Sequence, residues 1–254
     1  MPPELSIVIR AYNEAEKLER LLKSLSHQSL ATEKWEVVVV NNGSTDQTAA
    51  IAQKYGATVV YLDQDKFSYP LSSNMGIQQA KGRFIMMISA HCLPVRNNFL
   101  ERGLKHFENS NLAGLYGPTL PEKDSPLFEK LMATPQYLKS LFHLPTRRVT
   151  YSRVGFMGAT NCILRKDLWE KLPFNEAYGA GNEDSDWGAW ALSQGYTILF
   201  DPLFTVYHSH YLATPSQFVK QHRLWRSIHN HPRPFNRSEL NFRLDMSPTK
   251  DKNK

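Results

Sequence analysis

Three carboxylates lie close together in the segment Gly181-Asn182-Glu183-Asp184-Ser185-Asp186-Trp187. The pattern of the residues that follow predicts a helix over 183–194, so the carboxylates stand in its first turn. A carboxylate at such a position can accept a proton from a bound hydroxyl group. The structural alternative is an acidic helix N-terminus that the helix dipole stabilises. Glu183 and Asp186 are three residues apart and share a helix face, so one of them can hold a basic residue or an acceptor.

Two polar segments in the first half of the chain suggest contacts with a nucleoside. Tyr12-Asn13-Glu14 and Asn41-Asn42 each follow a short apolar run. An aromatic ring can stack on a base, and amides and carboxylates can hydrogen-bond a base or a ribose. The alternative is that both segments only begin helices, with Asn13 as an N-cap and with Ser44 and Gln47 as a capping box.

Three histidines form the last group of candidates. His91 follows an apolar run, and His208 and His210 are two residues apart near another, so their rings can face the same side. Imidazole ligands suit manganese or zinc better than magnesium, which prefers oxygen. The alternative is that His91 donates a hydrogen bond to a diphosphate and that His208 or His210 only ends a strand.

The elements that must position these residues follow from the hydrophobic pattern. Continuous apolar runs predict four strands, over 5–11, 35–40, 58–62 and 84–89. Helices are predicted between them, over 18–25, 44–55 and 71–80. This alternation predicts a mostly parallel α/β sheet with helices on both faces. Ligands bind beyond the carboxyl ends of parallel strands, so residues 11–14, 41–44 and 89–92 should converge.

The second half of the chain has a looser pattern. It is interrupted by several prolines between 118 and the segment 162–165, and two short strands are predicted within 197–208. We interpret 1–229 as one domain, in which 1–118 bind the donor of a transferred group and 119–229 form the acceptor side. Residues 230–254 are polar and basic, with too little apolar surface to fold, and are predicted to be a tail.

The composition limits the partners of the protein. The 254 residues carry a formal charge of +6, which favours an anionic partner such as a nucleotide or a phospholipid surface. We predict no nucleic-acid binding, because the basic residues form no recognition motif. Two cysteines and the absence of a long apolar run predict a cytoplasmic protein. The basic amphipathic stretch 127–148 either contacts the inner face of the membrane or forms a flap over the core.

Together these segments resemble the family 2 glycosyltransferases of the GT-A fold. The resemblance covers about 5–210 and rests on Ala11-Tyr12-Asn13-Glu14, on Asn74-x-Gly76 and on Glu183-Asp184. It implies a Rossmann-like α/β sheet with a C-terminal acceptor-side extension. It also implies an inverting transfer of a sugar from a nucleoside-diphosphate sugar to a hydroxyl acceptor, which is a glycan, a lipid-linked saccharide or a small metabolite. Asp184 would be the general base. The alternative is a catalytically silent nucleotide-sugar-binding or scaffold protein of the same fold.

The chain departs from the family pattern at four places. Arg10 replaces a proline, and Asn41-Asn42 replaces a pair of aspartates. Ser89-Ala90-His91 replaces the Asp-x-Asp that holds a divalent cation against the donor diphosphate. The chain also resembles the rhamnosyltransferase-like subgroup, but Ser73 replaces the arginine of its Arg-Asn pair. The subgroup implies a uridine- or deoxythymidine-diphosphate donor, and the altered Asp-x-Asp puts the usual Mn2+ or Mg2+ in question.

The resemblance implies three sets of contacts. The predicted nucleotide-sugar contacts are Ala11, Tyr12, Glu14, Asn41, Asn42, Asn74, Ser89, Ala90 and His91. The predicted acceptor or diphosphate contacts are Glu183, Asp186, Trp187, Arg223 and Arg226. The predicted metal ligands are His91, His208 and His210. Other cations that could offset the charge of the leaving diphosphate are Arg153 and Lys166.

Overall fold

The structure is a computed structural model that describes residues 2–133, 150–153, 155–178 and 181–220, and these residues contain eleven strands, eight α-helical segments and four short 3-10 helices. The strands are β1 (Leu5–Ala11), β2 (Trp35–Asn41), β3 (Thr58–Tyr61), β4 (Phe84–Ser89), β5 (Cys92–Pro94), β6 (Leu112–Tyr116), β7 (Thr119–Leu120), β8 (Thr150–Tyr151), β9 (Asn161–Arg165), β10 (Thr197–Phe200) and β11 (Val206–His208). The helices are α1 (Ala15–Leu25), α2 (Thr48–Lys54), α3 (Tyr69–Gln79), α4 (Phe99–Lys105), α5 (Lys166–Trp169) and α6 (Glu183–Ser193). Residues 127–133 and 215–220 are also helical.

Eight strands form the central sheet, in the order β3-β2-β1-β4-β9-β6-β10-β8. The four strands from β3 to β4 are parallel, as are β6 and β10. The predicted mostly parallel α/β sheet is confirmed. Strand β9 runs antiparallel to both of its neighbours, which the sequence pattern did not indicate. Strands from both predicted halves of the domain therefore lie in one sheet, while the predicted tail lies outside the described residues.

Helices cover both faces of this sheet because β1 alternates its side chains between two apolar layers. Ile7 and Ile9 lie in one layer with the leucines of α1, which recur at the spacing of a helix face. Val8 lies in the other layer with Ile77 of α3. Gly76 allows α3 to approach the sheet closely, since a Cβ atom there would overlap Val8 and Val40.

A second sheet of three short strands, β5-β11-β7, was not predicted. Strand β11 is antiparallel to β5, with His208 opposite Cys92, and parallel to β7. This pairing brings the end of β11 to the residues that follow β4. The strands are too short to give a clear period in the sequence.

Two helix starts differ from the sequence prediction. Helix α2 begins at Thr48, where the carboxylate of Asp46 accepts a hydrogen bond from the Thr48 backbone nitrogen at 2.9 Å. The predicted capping box of Ser44 and Gln47 is therefore wrong. Helix α3 begins two residues earlier than predicted, because the hydroxyl of Ser68 caps it by accepting from the Leu71 backbone nitrogen.

None of the helices in residues 2–133, 150–153, 155–178 and 181–220 combines the length and apolar character that crossing a bilayer requires.

A buried carboxylate holds the turn between β10 and β11. Asp201 accepts two hydrogen bonds from the Arg102 guanidinium, at 2.6 and 2.9 Å, and one from the His106 ring at 2.8 Å. Its other contact is the Leu203 backbone nitrogen at 2.8 Å. Burial alone would raise the pKa of Asp201, but these hydrogen bonds lower it to about 2. The turn that leads into β11 therefore depends on an ionised Asp201.

We predict that Asp201→Asn lowers the free energy of unfolding by about 2 kcal/mol at pH 7. The carboxylate contributes this stability above its unfolded pKa of about 3.8, and the contribution is lost as the pH falls through about 2. Urea denaturation at pH 7 and at pH 3 measures the difference. Asp167→Asn is the control, because the Asp167 pair with Arg165 lies at the surface and should contribute less than about 1 kcal/mol. Equal losses in the two variants would contradict the prediction.

Candidate active site

The loops after β1 and β2 are joined by hydrogen bonds at the carboxyl edge of the sheet. The Asn13 backbone nitrogen donates to the Ser44 hydroxyl at 2.9 Å, and the Asn13 side-chain oxygen accepts from the Thr45 backbone nitrogen at 2.8 Å. Asn13 adopts a positive φ of 51°. Glu14 occupies the N-cap position, so the alternative of Asn13 as N-cap is wrong. The predicted convergence of these loops is confirmed.

The loop after β4 reaches the same place through Glu14. The His91 Nδ1 atom lies 2.8 and 3.0 Å from the two carboxylate oxygens of Glu14. On the other side of the ring, His91 Nε2 lies 2.9 Å from His208 Nε2. The carboxylate favours a hydrogen on Nδ1 of His91, so in a neutral ring Nε2 is left as an acceptor.

His210 completes a cluster with His91 and His208, in which one ring nitrogen from each residue lies within 4.8 Å of the others. Glu129, from the helical residues 127–133, accepts a hydrogen bond from the His210 backbone nitrogen at 2.7 Å. Burial lowers the pKa of His210 to about 4 and that of His208 well below its ordinary value, and positive charge on His91 adds to both shifts. His208 and His210 are therefore neutral at pH 7 and carry lone pairs.

Asn41, the last residue of β2, and Asn42, which follows it, are buried and hydrogen-bonded within the protein. The Asn41 side-chain oxygen accepts from the Ser44 backbone nitrogen at 3.0 Å, and the Asn42 side-chain oxygen accepts from the Ser72 hydroxyl at 2.9 Å. These bonds shape the loop around Gly43. Tyr12, in contrast, exposes 43% of its surface and directly precedes Asn13, which is hydrogen-bonded to this loop.

Asn74 has no hydrogen-bonding capacity left for a ligand. Its nitrogen donates to the Phe174 carbonyl and the Glu176 carboxylate, and its oxygen accepts from the Trp169 ring nitrogen and the Phe174 backbone nitrogen. Both donors and both lone pairs of the amide are thus used. The expectation that Asn74 contacts the nucleotide sugar is therefore revised, and we assign it to the framework that joins α3 to α5.

Asp184 stands in the first turn of α6, with both carboxylate oxygens held by backbone nitrogens. Ala159 donates to Oδ2 at 2.6 Å and Ser185 donates to Oδ1 at 2.7 Å. The loop that carries Ala159 packs directly on α6. The approach is so close that a Cβ atom on Gly188 would overlap the carbonyl oxygen of Gly155. Burial raises the pKa of Asp184, against the lowering effect of these two backbone nitrogens and of Arg10.

Glu183 is almost fully buried, with 2% of its surface exposed. Its Oε1 atom lies 3.7 Å from Nη1 of Arg10, and its Oε2 atom has no hydrogen-bond partner among the described residues. Burial and the neighbouring Asp184 raise the pKa of Glu183 to about 7, although Arg10 opposes the shift. Glu183 thus holds a basic residue, which is one of its two predicted roles. It is too buried for the other predicted role, contact with an acceptor.

The family whose model is described as "Glycosyl transferase family 2" matches residues 6–172, which is more than half of the chain. The chain belongs to glycosyl transferase family 2. It is 27% identical over 207 residues to glycosyltransferase AglE of Haloferax volcanii, a match that covers 78% of this chain and 64% of AglE. It is 30% identical over 115 residues to 4,4'-diaponeurosporenoate glycosyltransferase of Staphylococcus aureus, covering 44% of this chain and 30% of that protein. The chain therefore spans less than two thirds of the length of these relatives.

Two solved structures resemble this family 2 protein over most of its length. Mannosyltransferase PcManGT from Pyrobaculum calidifontis, solved in complex with GDP-Man and Mn2+, aligns with a TM-score of 0.67 at 19% sequence identity. The alignment covers 90% of this chain and 62% of the PcManGT chain. S. aureus TarS 1–349, solved in complex with UDP, aligns with a TM-score of 0.62 at 20% sequence identity. The alignment covers 89% of this chain and 65% of the TarS chain. The GT-A fold that the motifs implied is confirmed.

Of the other predicted contacts of the family 2 domain, two are buried, one lies away from the candidate site and two fall outside the described residues. Trp187 is 1% exposed and packs beside Phe174 and Trp190 in the core, so it cannot contact an acceptor. Ala90 is also buried in the core. Lys166 donates to the Ala80 carbonyl at 2.7 Å, near the start of β4 and thus at the opposite edge of the sheet from the candidate site. Arg223 and Arg226 lie outside the described residues.

The amphipathic stretch 127–148 is described only over 127–133. There Leu127 and Leu131 are exposed, at 71% and 60% of their surface. Whether the stretch contacts a membrane or covers the core stays a prediction.

Sequence reasoning missed two interactions of the site. It noted Arg10 only as a replacement for proline, although an ionisable residue near the end of a buried strand requires a charged or polar partner. It also missed the contact between Glu14 and His91, which follow neighbouring parallel strands. In both cases a signal was present in the sequence, but the partner became evident only from the fold.

We predict that Glu183→Gln makes this family 2 domain more stable than the wild type at alkaline pH. The folded pKa of Glu183 lies above its ordinary value of 4.5, so its neutral form contributes stability below pH 4.5 that is lost as the pH rises through about 7. Glutamine resembles the neutral form at every pH. The difference in unfolding free energy, variant minus wild type, should increase by on the order of 1 to 3 kcal/mol between pH 5 and pH 8.

Urea denaturation across this pH range measures the difference. Glu33→Gln, at an exposed position, is the control and should follow the wild type. A difference for Glu183→Gln that does not change with pH would show that this carboxylate is not perturbed.

Proposed function

We propose that this protein transfers a sugar, with inversion, from a nucleoside-diphosphate sugar to a hydroxyl acceptor. The observation that carries the proposal is the position of Asp184, a partly buried carboxylate in the first turn of α6 that two backbone nitrogens hold in one orientation. Membership of glycosyl transferase family 2 supports the reaction class. The catalytically silent alternative gives no reason to keep a carboxylate at this cost of burial.

Asp184 is better placed than Glu183 to act as the general base. Glu183 is 2% exposed, so a hydroxyl group of an acceptor cannot reach it. Asp184 is more accessible, and a carboxylate whose oxygens each accept one hydrogen bond has further lone pairs for a third donor. In the proposed reaction Asp184 takes the acceptor proton, the acceptor oxygen bonds to the anomeric carbon, and the bond from that carbon to the diphosphate breaks on the opposite face.

The donor in this proposal is a nucleoside-diphosphate sugar of the uridine or deoxythymidine type. The converging loops after β1, β2 and β4 support it, because Tyr12 offers an exposed ring beside the polar loop at Asn41 and Asn42. Two proteins of the same fold were solved with GDP-Man and with UDP, which supports a nucleotide-bearing donor. A glycan, a lipid-linked saccharide or a small metabolite is the proposed acceptor.

The histidine cluster fits a divalent transition metal better than Mg2+. Two of its three imidazoles are neutral, and Glu14 orients the third through Nδ1, so the cluster offers nitrogen lone pairs rather than oxygen ligands. His91, His208 and His210 would hold Mn2+ or Zn2+. Such an ion would offset the negative charge of the departing diphosphate. In the absence of a metal, His91 itself would donate a hydrogen bond to the diphosphate, with Glu14 orienting its ring.

Asp184→Asn should lower turnover by about 100-fold or more without changing donor affinity, because an amide cannot take the acceptor proton. Thermal shift against uridine, deoxythymidine and guanosine diphosphate sugars first identifies the donor, since a bound ligand raises the melting temperature. Release of nucleoside diphosphate then measures turnover. Asp167→Asn, at the surface, is the control. Near-normal turnover in Asp184→Asn would contradict the proposed base, and donor binding without turnover in the wild type would favour the silent alternative.

Wild-type protein should bind Mn2+ or Zn2+, but not Mg2+, in calorimetric titrations without nucleotide. His208→Ala and His210→Ala should each weaken this binding at least about tenfold, since each removes one nitrogen ligand. His27→Ala is the control, because His27 is exposed and outside the cluster. Absence of Mn2+ and Zn2+ binding, together with activity that survives a chelator, would overturn the metal site and leave His91 as the diphosphate contact.

A further inference from the structure

Arg10 is a cation within a strand whose other residues are almost all apolar. Its side chain exposes only 14% of its surface. The guanidinium lies 4.8 Å from the centre of the Tyr69 ring, and its Nη1 atom lies 3.4 Å from the Tyr69 carbonyl oxygen and 3.2 Å from the Ser73 hydroxyl. The same Nη1 atom is 3.7 Å from Oε1 of Glu183. Arg10 therefore connects β1 to α3 and to the first turn of α6.

Two of the departures from the family pattern meet at this point. Arg10 stands where the pattern has proline, and Ser73 stands where the rhamnosyltransferase-like subgroup has arginine. Ser73 is fully buried and its hydroxyl contacts the Arg10 guanidinium. The small side chain at 73 thus leaves the space that Arg10 enters from the strand.

The neighbourhood of the two consecutive carboxylates explains why a cation is needed. Glu183 and Asp184 both lose water on folding, and one oxygen of Glu183 has no hydrogen-bond partner among the described residues. Among the described residues, the titratable groups that act on the pair from other elements are Arg10 from β1 and the Cys162 thiol from β9. Burial raises the pKa of Cys162, so this thiol is neutral and offsets no charge. Asp186, in the same turn of α6, adds a further carboxylate.

We propose that Arg10 is a positioning residue that keeps Asp184 ionised and ready to accept a proton, by balancing the charge of Glu183 beside it. The proposal rests on the proposed role of Asp184 as general base. Without the guanidinium, the two adjacent carboxylates keep a shared proton to higher pH, because like charges close together disfavour ionisation of both groups. A proton that the pair shares occupies Asp184 part of the time, and so lowers the fraction of Asp184 that can take a proton from the acceptor. The same guanidinium fixes α6 against β1, and so holds the carboxylate over the carboxyl edge of the sheet.

The first test compares the pH dependence of kcat in Arg10→Met and Arg10→Lys with that of the wild type. The acid limb is the part of the profile in which kcat rises with pH. In Arg10→Met this limb should lie at least about one pH unit higher than in the wild type, so that kcat is about tenfold lower on the limb and equals the wild-type value at alkaline pH. Arg10→Lys keeps the charge and should keep the limb within about half a unit of the wild type. A uniform loss of kcat at every pH in Arg10→Met, with an unmoved limb, would overturn the proposal in favour of a purely structural role.

A relocated charge provides a second comparison. In Arg10→Met/Ser73→Arg the guanidinium comes from α3 instead of β1, and the acid limb should return toward the wild-type position. If Arg10→Met does not fold, Arg10→Gln and this double variant supply the same comparison. If the double variant folds but its acid limb lies at the same pH as in Arg10→Met or Arg10→Gln, the result would count against a charge effect.

A third measurement does not depend on activity. Carboxyl resonances of protein labelled with 13C in aspartate and glutamate, assigned with Asp184→Asn and Glu183→Gln, report the titration of the pair directly. The pair should titrate at higher pH in Arg10→Met than in the wild type, and an unchanged titration would overturn the proposal. If the shift appears in a protein that transfers no sugar to any acceptor, the proposed function fails while the effect of Arg10 on the carboxylates stands.

Discussion

Parallel pairing of β1 with β2 and β4 is the constraint on which the site depends. Parallel strands carry their carboxyl ends to one edge, so the loops at 11–14, 41–48 and 89–92 meet there. Hydrogen bonds between Asn13 and the second loop, and between Glu14 and His91, join them. The polar residues of this edge are thus held by the backbone order of the sheet rather than by their own propensities.

The alternation of side chains along β1 divides the site into two parts. Ile9 and Ala11 face the layer that contains α1, whereas Val8 faces the layer that contains α3. Arg10 lies with α3 and reaches Glu183, while the loop after Ala11 carries Glu14 to the histidine cluster. The carboxylates and the histidine cluster are therefore contacted by different residues, on different sides of one strand end.

Asn74 and Trp187, two of the residues predicted to contact ligands, build the framework that positions others. All four hydrogen-bonding positions of the Asn74 side chain are occupied by groups of the protein, and Trp187 is buried in the core. Gly155 and Gly188 allow the loop before Ala159 to lie directly on α6. Removing such a residue would move the reactive groups without touching a ligand, which explains why motif residues and contact residues need not coincide.

The parallel half of the sheet, its helices and the carboxyl-edge location of the site could be predicted from the amino-acid sequence. Continuous apolar runs, leucines at the spacing of α1 and the order of the motifs carry this information locally. The direction of β9, the pairing of β11 with β5, the partners of Arg10 and the contact of Glu14 with His91 could not be predicted. Each of these depends on contacts between residues far apart in the chain, and a buried charge shows in sequence that a partner must exist without showing which residue it is.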